Sequence, residues 1–193
     1  MLLLPINEQL KNLQSWQQSV FCMALAQHSL LHFHLFSEAI KSEHGQTIDT
    51  LNQLFWEKMT VKGAKINFAI QQDRFEDIIP DTREFDFYGV YPALDHCVIL
   101  SCAFNSFLTE SKDEAFNASQ TSFATIASFI ELQNDGEVDE LSLTELPLIQ
   151  SELVFQQTLL EKLDNQRSPE LIKSIRQFVL DLGITNLGIA LND

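Results

Sequence analysis

The sequence contains few cysteines, glycines and prolines, the residues that cross-link a chain or interrupt its regular structure. Its three cysteines, Cys22, Cys97 and Cys102, lie in apolar segments, and their odd number and unpaired spacing argue against a disulfide framework. Six glycines and five prolines form no Gly/Ser-rich or Pro-rich linker. The apolar run at residues 1–4 is too short for a signal peptide or a membrane span, so we expect a cytoplasmic protein with reduced cysteines.

Recognisable catalytic and cofactor motifs are also missing. The chain contains no G-x-S-x-G, no P-loop and no G-x-G-x-x-G, the patterns typical of hydrolases, NTPases and dinucleotide-binding enzymes. His28 and His32 are spaced to share one helix face, as two metal ligands must, but no glutamate completes an H-E-x-x-H pattern. Solvated histidines at a helix end are commoner than ligands, so we expect no metal site and no cofactor.

Positive charge is scarce. Only 12 Lys and Arg residues face 27 Asp and Glu residues, which gives a formal net charge of −15. Such a chain repels phosphate groups, so we expect no direct binding to nucleic acid and no attachment to an anionic membrane. Between Lys112 and Lys162 there are ten carboxylates and no Lys or Arg, which predicts an acidic face suited to a basic protein partner.

Helical periodicity is what the chain has in abundance. Apolar residues recur at helical spacing, and alternating runs long enough for a strand are missing, so we predict an all-α, single-domain multihelical bundle over residues 1–193. Fifteen phenylalanines predict a core filled with aromatic rings. Seven or eight helices are expected: from Asn7 to about His28, 29–42, from a Thr47 cap to Gly63, from Ala64 to before Pro80, from Pro92, from a Ser111–Glu114 capping box to Asn134, 145–164, and from Ser168 to Gly183.

One helix and one loop stand out in this plan. Residues 97–104, CVILSCAF, are apolar on nearly every side, which predicts a central buried helix over about 92–108. The acidic stretch at about 135–143 is the only candidate domain boundary. It is short enough for a surface loop between helices of one core, and we prefer that interpretation to two domains.

The stretch FDFYGVYPALDHCVIL, residues 85–100, holds both tyrosines of the chain. At the start of the predicted helix, Tyr88, Tyr91, Asp95 and His96 could line a depression, where the helix dipole would favour a charged Asp95. A purely structural interpretation explains the same residues: Gly89 makes a turn, a proline opens the helix, and each tyrosine packs its ring while its hydroxyl finds a backbone partner. Of the two interpretations, the structural one requires fewer assumptions.

Two other groups of residues are candidates for binding. Lys58, Lys62 and Lys65 fall within eight residues that contain no acid, and Lys62 and Lys65 could contact an anion. The alternative is that the lysines offset the carbonyl end of a helix dipole. Trp16 and Trp56 are interpreted first as core or core-edge rings, although an exposed tryptophan such as Trp56 could anchor a partner.

Several segments resemble a known family. The segments are SWQ at 15–17, FWEKMTVKGAKINF at 55–68, RFEDIIP at 74–80, FDFYGVYPALDHCVIL at 85–100 and LGITNLGI at 182–189. They are similar to the bacterial domain-of-unknown-function family 416 over essentially the whole chain. The resemblance implies a small cytoplasmic bacterial protein of helical fold, without an established activity, cofactor or catalytic residue. His96 stands where the family pattern has a small residue, which weakens an Asp95–His96 catalytic pair.

The sequence is compatible with three functions. The leading hypothesis is a non-enzymatic protein-binding protein that presents an acidic face to a basic partner. The alternative is an enzyme or small-ligand binder with a pocket at the start of the helix after Tyr91, where Tyr88 or Tyr91 would donate a proton, Asp95 would accept one and Lys62 or Lys65 would contact an anion. A homo-oligomer is the third possibility, and light scattering would test it.

Overall fold

The computed structural model describes residues 3–109, 111–134 and 143–190. Within these ranges the chain is all-α, as predicted, and the only β pairing is one isolated antiparallel bridge between Ile184 and Ala190. Eight helices follow one another along the described chain: α1 Asn7–Lys11, α2 Ser15–Ala39, α3 His44–Thr60, α4 Phe68–Glu76, α5 Val90–Leu108, α6 Glu114–Gln133, α7 Pro147–Leu163 and α8 Pro169–Asp181.

Two helices, α2 and α5, form the centre of the bundle. They make the most extensive helix–helix contact among the described elements, and α2 also packs against α3, α6, α7 and α8. Every residue of α2 from Gln18 to Ala26 is buried. The predicted helix at 92–108 is present as α5, but Val98 is 41% exposed, so α5 is not buried on all sides. Helices from both sides of the acidic stretch thus share one hydrophobic core.

The core is rich in aromatic rings, as the phenylalanine content predicts. Phe55 of α3 lies 4.7 Å from Phe104 of α5 in an edge-on arrangement. Phe68 at the start of α4 stacks on Phe107 with ring centroids 4.9 Å apart, and Phe75 stacks on Phe104 at 5.2 Å. Such pairs contribute beyond their buried area. They fix the short helix α4 against the side of α5.

The boundary predicted between the first two helices is wrong. A helix from Asn7 to His28 followed by a second at 29–42 is replaced by the short α1 and the 25-residue α2. Gln14 caps α2, because its backbone N–H donates to Gln17 Oε1 at 2.7 Å and the Gln14 side chain accepts from the Gln17 backbone. No break follows His28, since α2 continues through it and the Ser29 hydroxyl donates back to the Leu25 carbonyl at 3.0 Å.

Two predicted helix starts are also wrong. Helix α3 begins at His44 rather than at a Thr47 cap, and the Gly45 N–H in its first turn donates to Ser37 Oγ of α2 at 3.0 Å. Helix α6 begins at Glu114, but the expected Ser111–Glu114 capping box is not formed. Glu114 is buried instead and accepts a hydrogen bond from Asn105 Nδ2 at 3.4 Å.

Of the remaining predicted helix ends, some are displaced along the chain and others are confirmed. Helix α4 begins at Phe68 rather than near Ala64, with Asn67 as its cap, and α5 begins two residues before Pro92. Ser168 caps α8 as predicted, accepting the Leu171 N–H at 3.0 Å. Gly183 has a positive φ of +64° directly after the C-cap Leu182 of α8, as predicted. Gly63 also has a positive φ, +79°, but α3 ends at Thr60 with Val61 as its C-cap, so the prediction that Gly63 ends this helix is wrong. The predicted acidic loop at about 135–143 lies outside the described residues, except for the buried Leu143.

Residues 183–190 form a compact hook after α8. The Thr185 N–H donates to the Ile189 carbonyl at 2.9 Å, and the Gly188 N–H donates to the Thr185 carbonyl at 2.8 Å. The inner residues of the hook, Thr185, Asn186 and Leu187, are buried. The hook therefore belongs to the core rather than to a loose tail. None of the described helices combines the length and hydrophobicity that a membrane span requires.

Candidate functional site

The start of α5 and the end of α6 bring Tyr88, Tyr91 and Asp95 together. The ring of Tyr88, in the turn before α5, lies 6.1 Å from the ring of Tyr91 and 6.1 Å from the ring of Phe129 on α6. Asp95 lies one helical turn beyond Tyr91, and its Oδ2 accepts a 2.8 Å hydrogen bond from the Thr125 hydroxyl of α6. We call these five residues the Tyr–Asp surface; it remains open to solvent, because Tyr91 is 51% exposed.

The Tyr–Asp surface contains a carboxylate, Asp95, that has no ion-pair partner among the described residues. Burial raises the pKa of Asp95 above its usual value, and the Thr125 hydrogen bond only partly opposes this effect. Burial, followed by the charge of Asp95, raises the pKa of Tyr88. No Lys, Arg or His nitrogen of the described residues forms an ion pair with Asp95. The surface thus offers a half-buried carboxylate near Tyr88, without an ion-pair partner in the described part of the chain.

His96 does not belong to this surface. It is 1% exposed and faces the interior, where its Nδ1 lies 2.9 Å from the Ser29 hydroxyl of α2. Because neighbouring residues of a helix point in directions about 100° apart, Asp95 faces α6 while His96 faces α2. The expectation that His96 lines a surface depression is therefore wrong, and Asp95 and His96 form no catalytic pair.

The other predicted binding residues lie elsewhere. Lys62 and Lys65 are exposed in the connection between α3 and α4, and no ion pair or hydrogen bond within the described chain joins either of them to the Tyr–Asp surface. Trp56 is 1% exposed, and its indole N–H donates to Gln27 Oε1 of α2 at 3.3 Å. The guanidinium of Arg176 covers this ring at 5.7 Å from its centroid, so Trp56 forms part of the core.

A concave surface, which we call the acidic groove, lies where the chain before α2 meets the C-terminal half of α7. Its volume is about 640 Å³, and it is lined by Pro5, Ile6, Glu8, Gln9, Asn12, Leu13, Gln17, Gln157, Leu160, Glu161 and Asp164. Three of these residues are carboxylates, and none is a Lys or Arg. Glu8 pairs with Lys11 at 3.3 Å, whereas Glu161 and Asp164 form no ion pair within the described residues.

The acidic groove also receives the carbonyl end of α7. Asp164 is the C-cap residue of this helix, and Gln17 of α2 donates from Nε2 to the Leu163 carbonyl at 2.8 Å. The last carbonyls of a helix carry the negative end of its dipole. No local sequence pattern reveals this groove, because Glu8 and Glu161 are more than a hundred residues apart. Its only local signal was the pair of acids at the end of the predicted seventh helix.

A buried polar network centred on Glu152 joins α2, α6, α7 and the hook. Glu152 Oε1 accepts hydrogen bonds from Ser122 Oγ at 2.7 Å and from Gln156 Nε2 at 2.6 Å, while Oε2 lies 3.4 Å from His28 Nδ1. Asn186 of the hook donates to Ser122 Oγ at 3.0 Å. Burial opposes ionisation of Glu152, but these partners outweigh it, and the pKa of Glu152 lies below its usual value.

Two further histidines lie buried near this network. Burial lowers the pKa of His32 to about 4 and the pKa of His96 to about 3, and a neighbouring histidine adds to each shift. Neither ring nitrogen of His32 has a hydrogen-bond partner among the described residues. The expected solvated position of His28 and His32 is therefore wrong. No group of three or more His, Cys, Asp or Glu residues in the described ranges has a geometry that could hold a metal ion.

The cysteines offer no reactive thiol. Cys22, Cys97 and Cys102 are free and buried, as the sequence predicts. Burial raises the pKa of all three, that of Cys102 to about 12. Since the thiolate is the reactive form, these side chains behave as small apolar core residues.

Comparisons with known proteins agree with the fold. A family model described as "Protein of unknown function (DUF416)" matches residues 5–190. The chain is 36% identical over 188 residues to the uncharacterized protein YjaG of Escherichia coli K12 and 35% identical over 189 residues to an uncharacterized protein of Haemophilus influenzae, in both cases covering 96% of each chain. The crystal structure of a DUF416 family protein from Shewanella baltica OS155 has a TM-score of 0.87 and 29% identity, covering 96% of this chain and 98% of that one.

Proposed function

The chain belongs to the DUF416 family, and from this premise we propose that it is a non-enzymatic cytoplasmic protein that binds a basic segment of a partner protein in the acidic groove. The observation that carries the proposal is a groove of about 640 Å³ lined by three carboxylates and no Lys or Arg. The net charge of −15 supports it, because a negative field speeds the approach of a basic partner.

The chemistry of the lining favours Lys and Arg side chains as occupants. Glu161 and Asp164 carry charges without an ion-pair partner in the described chain. The carbonyl end of α7 adds an attraction of about 0.3–1 kcal/mol for each positive side chain near it. Gln9 and Gln157 provide amides that can bond a peptide backbone. A basic segment thus finds both its charges and its backbone groups matched.

The residue types that line the acidic groove favour binding over catalysis. The groove residues include no His, Cys, Ser, Thr, Tyr or Lys, the side chains that act as nucleophiles or as proton carriers in most enzymes. Recognition of charge is therefore the function that the residues of the groove support best.

Titration with a defined peptide tests the proposal. The probe is a fluorescent nine-residue peptide of alternating Lys and Gly, followed by anisotropy at about 20 mM and about 150 mM NaCl. The double variant Glu161→Gln/Asp164→Asn is compared with Glu131→Gln/Glu145→Gln, which removes the same charge from exposed residues outside the groove. We expect the groove variant to bind about tenfold more weakly at low salt, and the control to change by less than about twofold.

The outcome that contradicts the proposal is equal weakening of both double variants. In that case the peptide responds to the net charge of the molecule, not to the groove. A peptide of alternating Glu and Gly serves as the negative ligand control. Binding of that peptide with similar affinity would equally refute recognition of a basic segment.

The Tyr–Asp surface supports a second candidate function, that of a small-ligand binder or enzyme. The observation in its favour is the raised pKa of Asp95 beside Tyr88. The raised pKa of Tyr88 makes its hydroxyl a poorer proton donor, which favours binding over proton transfer. Saturation-transfer NMR with a library of small metabolites tests this function, and loss of every positive signal in Tyr91→Ala is the expected result. Signals that survive in Tyr91→Ala would exclude this surface.

A further inference from the structure

We propose that the Tyr–Asp surface binds the alkylammonium group of a small organic cation. The residues concerned are Tyr88, Tyr91, Asp95, Thr125 and Phe129, at the start of α5 and the end of α6. This site is separate from the acidic groove, whose lining shares no residue with it. The inference therefore stands or falls independently of binding to a basic partner protein.

The aromatic rings of the Tyr–Asp surface favour a cationic ligand. Tyr88 lies between Tyr91 and Phe129, with both centroid distances at 6.1 Å and with interplanar angles of 44° and 37°. The three rings are thus tilted relative to one another rather than stacked. A cation over an aromatic face is attracted by the ring quadrupole, and groups of such rings are how proteins recognise quaternary ammonium ions. The 51% exposure of Tyr91 leaves this array open to a ligand.

The carboxylate of Asp95 also favours a cationic ligand. Asp95 is half-buried, and its Oδ2 is occupied by the Thr125 hydroxyl. Its Oδ1 accepts no hydrogen bond from the described residues, and no cationic side chain in the described ranges pairs with it. Holding a partly buried carboxylate without a counter-charge is costly, and a bound cation would relieve that cost. The raised pKa of Asp95 is consistent with this imbalance.

The same features select among cations. Calcium and magnesium need six or more oxygen ligands, whereas this surface offers one carboxylate. A bare ammonium ion is strongly hydrated and forms its best contacts with several acceptors. An alkylated ammonium carries methyl or methylene groups that pack on the rings, and its diffuse charge suits a single carboxylate. The surface therefore fits an alkylammonium group better than a metal ion or a simple amine.

Choline and its neutral isostere 3,3-dimethylbutanol provide a matched pair of ligands. Binding to the full-length protein is followed by chemical-shift changes in 1H–15N spectra at fixed ionic strength. We expect choline to bind at least about tenfold more tightly than the isostere, because only choline has the charge that Asp95 and the rings attract. Equal binding of the two ligands would overturn the proposal.

Two variants and one control test which residues bind choline. Tyr91→Leu removes a ring face but keeps an apolar side chain, and Asp95→Asn removes the charge but keeps an acceptor for Thr125. We expect each to weaken choline binding at least about fivefold. Val98→Ala alters an exposed residue one turn further along the same face of α5 and should leave the affinity unchanged. Unchanged affinity in Asp95→Asn, with the spectrum still that of a folded protein, would refute the proposal.

Two further experiments distinguish a small organic cation from a protein ligand, and the Tyr–Asp surface from the acidic groove. A peptide carrying trimethyllysine tests whether the ammonium group comes from a protein; tight binding of this peptide without binding of choline would overturn the proposal of a small organic cation. The groove variant Glu161→Gln/Asp164→Asn should bind choline as the unmodified protein does. A parallel loss in that variant would show a response to net charge and would also count against the Tyr–Asp surface.

Discussion

Glu152 is 1% exposed, and its polar contacts come from Ser122, Gln156 and His28. Removing one partner of a buried charged group leaves the other groups without partners in a medium of low dielectric constant. We expect Glu152→Ala to lower the free energy of unfolding by about 3 kcal/mol in urea denaturation. Glu152→Gln should cost less, since its amide oxygen still accepts hydrogen bonds from Ser122 and Gln156.

Glu161 on the same helix is the matched control. It is exposed and forms no ion pair within the described residues, so Glu161→Ala should change the free energy of unfolding by less than about 0.5 kcal/mol. Similar losses in the two alanine variants would mean that the network around Glu152 adds little to stability.

At the scale of helices, Ser168 and Thr47 have the same predicted role and different positions in the structure. Ser168 accepts the Leu171 N–H at the start of α8, whereas Thr47 lies inside α3. We expect Ser168→Ala to lower the free energy of unfolding by about 1 kcal/mol, because a backbone N–H loses its acceptor. Thr47→Ala should cost less than about 0.5 kcal/mol, since alanine is the better helix former. Chemical denaturation of both variants makes the comparison, and a larger loss in Thr47→Ala would contradict it.

The same contrast explains which elements could be predicted from the sequence. Helix α8 could, since its cap, its proline, its apolar stripe and its terminal glycine are all local. Helix α2 could not, because residues 18–26 are buried on every side and show no amphipathic face from which to read its length. The start of α3 depends on Ser37 of another helix, which no local pattern contains.

The candidate sites divide in the same way. The Tyr–Asp surface was predictable, because Tyr88, Tyr91 and Asp95 lie within eight residues of one another. The network of Glu152 was not, since His28, Ser122 and Asn186 come from three distant parts of the chain. Charge counting also overstated the acidic face between Lys112 and Lys162, because Glu114 and Glu152 are buried.

For the molecule as a whole, the buried histidines link stability to pH. In the folded protein the pKa values of His32 and His96 are lowered to about 4 and about 3 from an ordinary value of 6.5, so the unfolded chain binds more protons in the interval between. Their stabilising effect is fully present above about pH 6.5 and is lost as the pH falls toward 4. We expect the free energy of unfolding to fall by up to about 1.4 kcal/mol per pH unit for each histidine.

Urea denaturation between about pH 7 and pH 4.5 measures this slope. His32→Leu removes one of the two groups, so the slope of the variant should be smaller by about one proton. A variant with the same slope as the unmodified protein would show that His32 does not contribute.

The hook imposes an order on synthesis as well as on structure. Asn186 is the donor that completes the bonds of Ser122, and Ser122 in turn bonds Glu152. This set of hydrogen bonds is therefore complete only after residue 186 has left the ribosome, and a nascent chain halted earlier lacks the donor to Ser122 of α6.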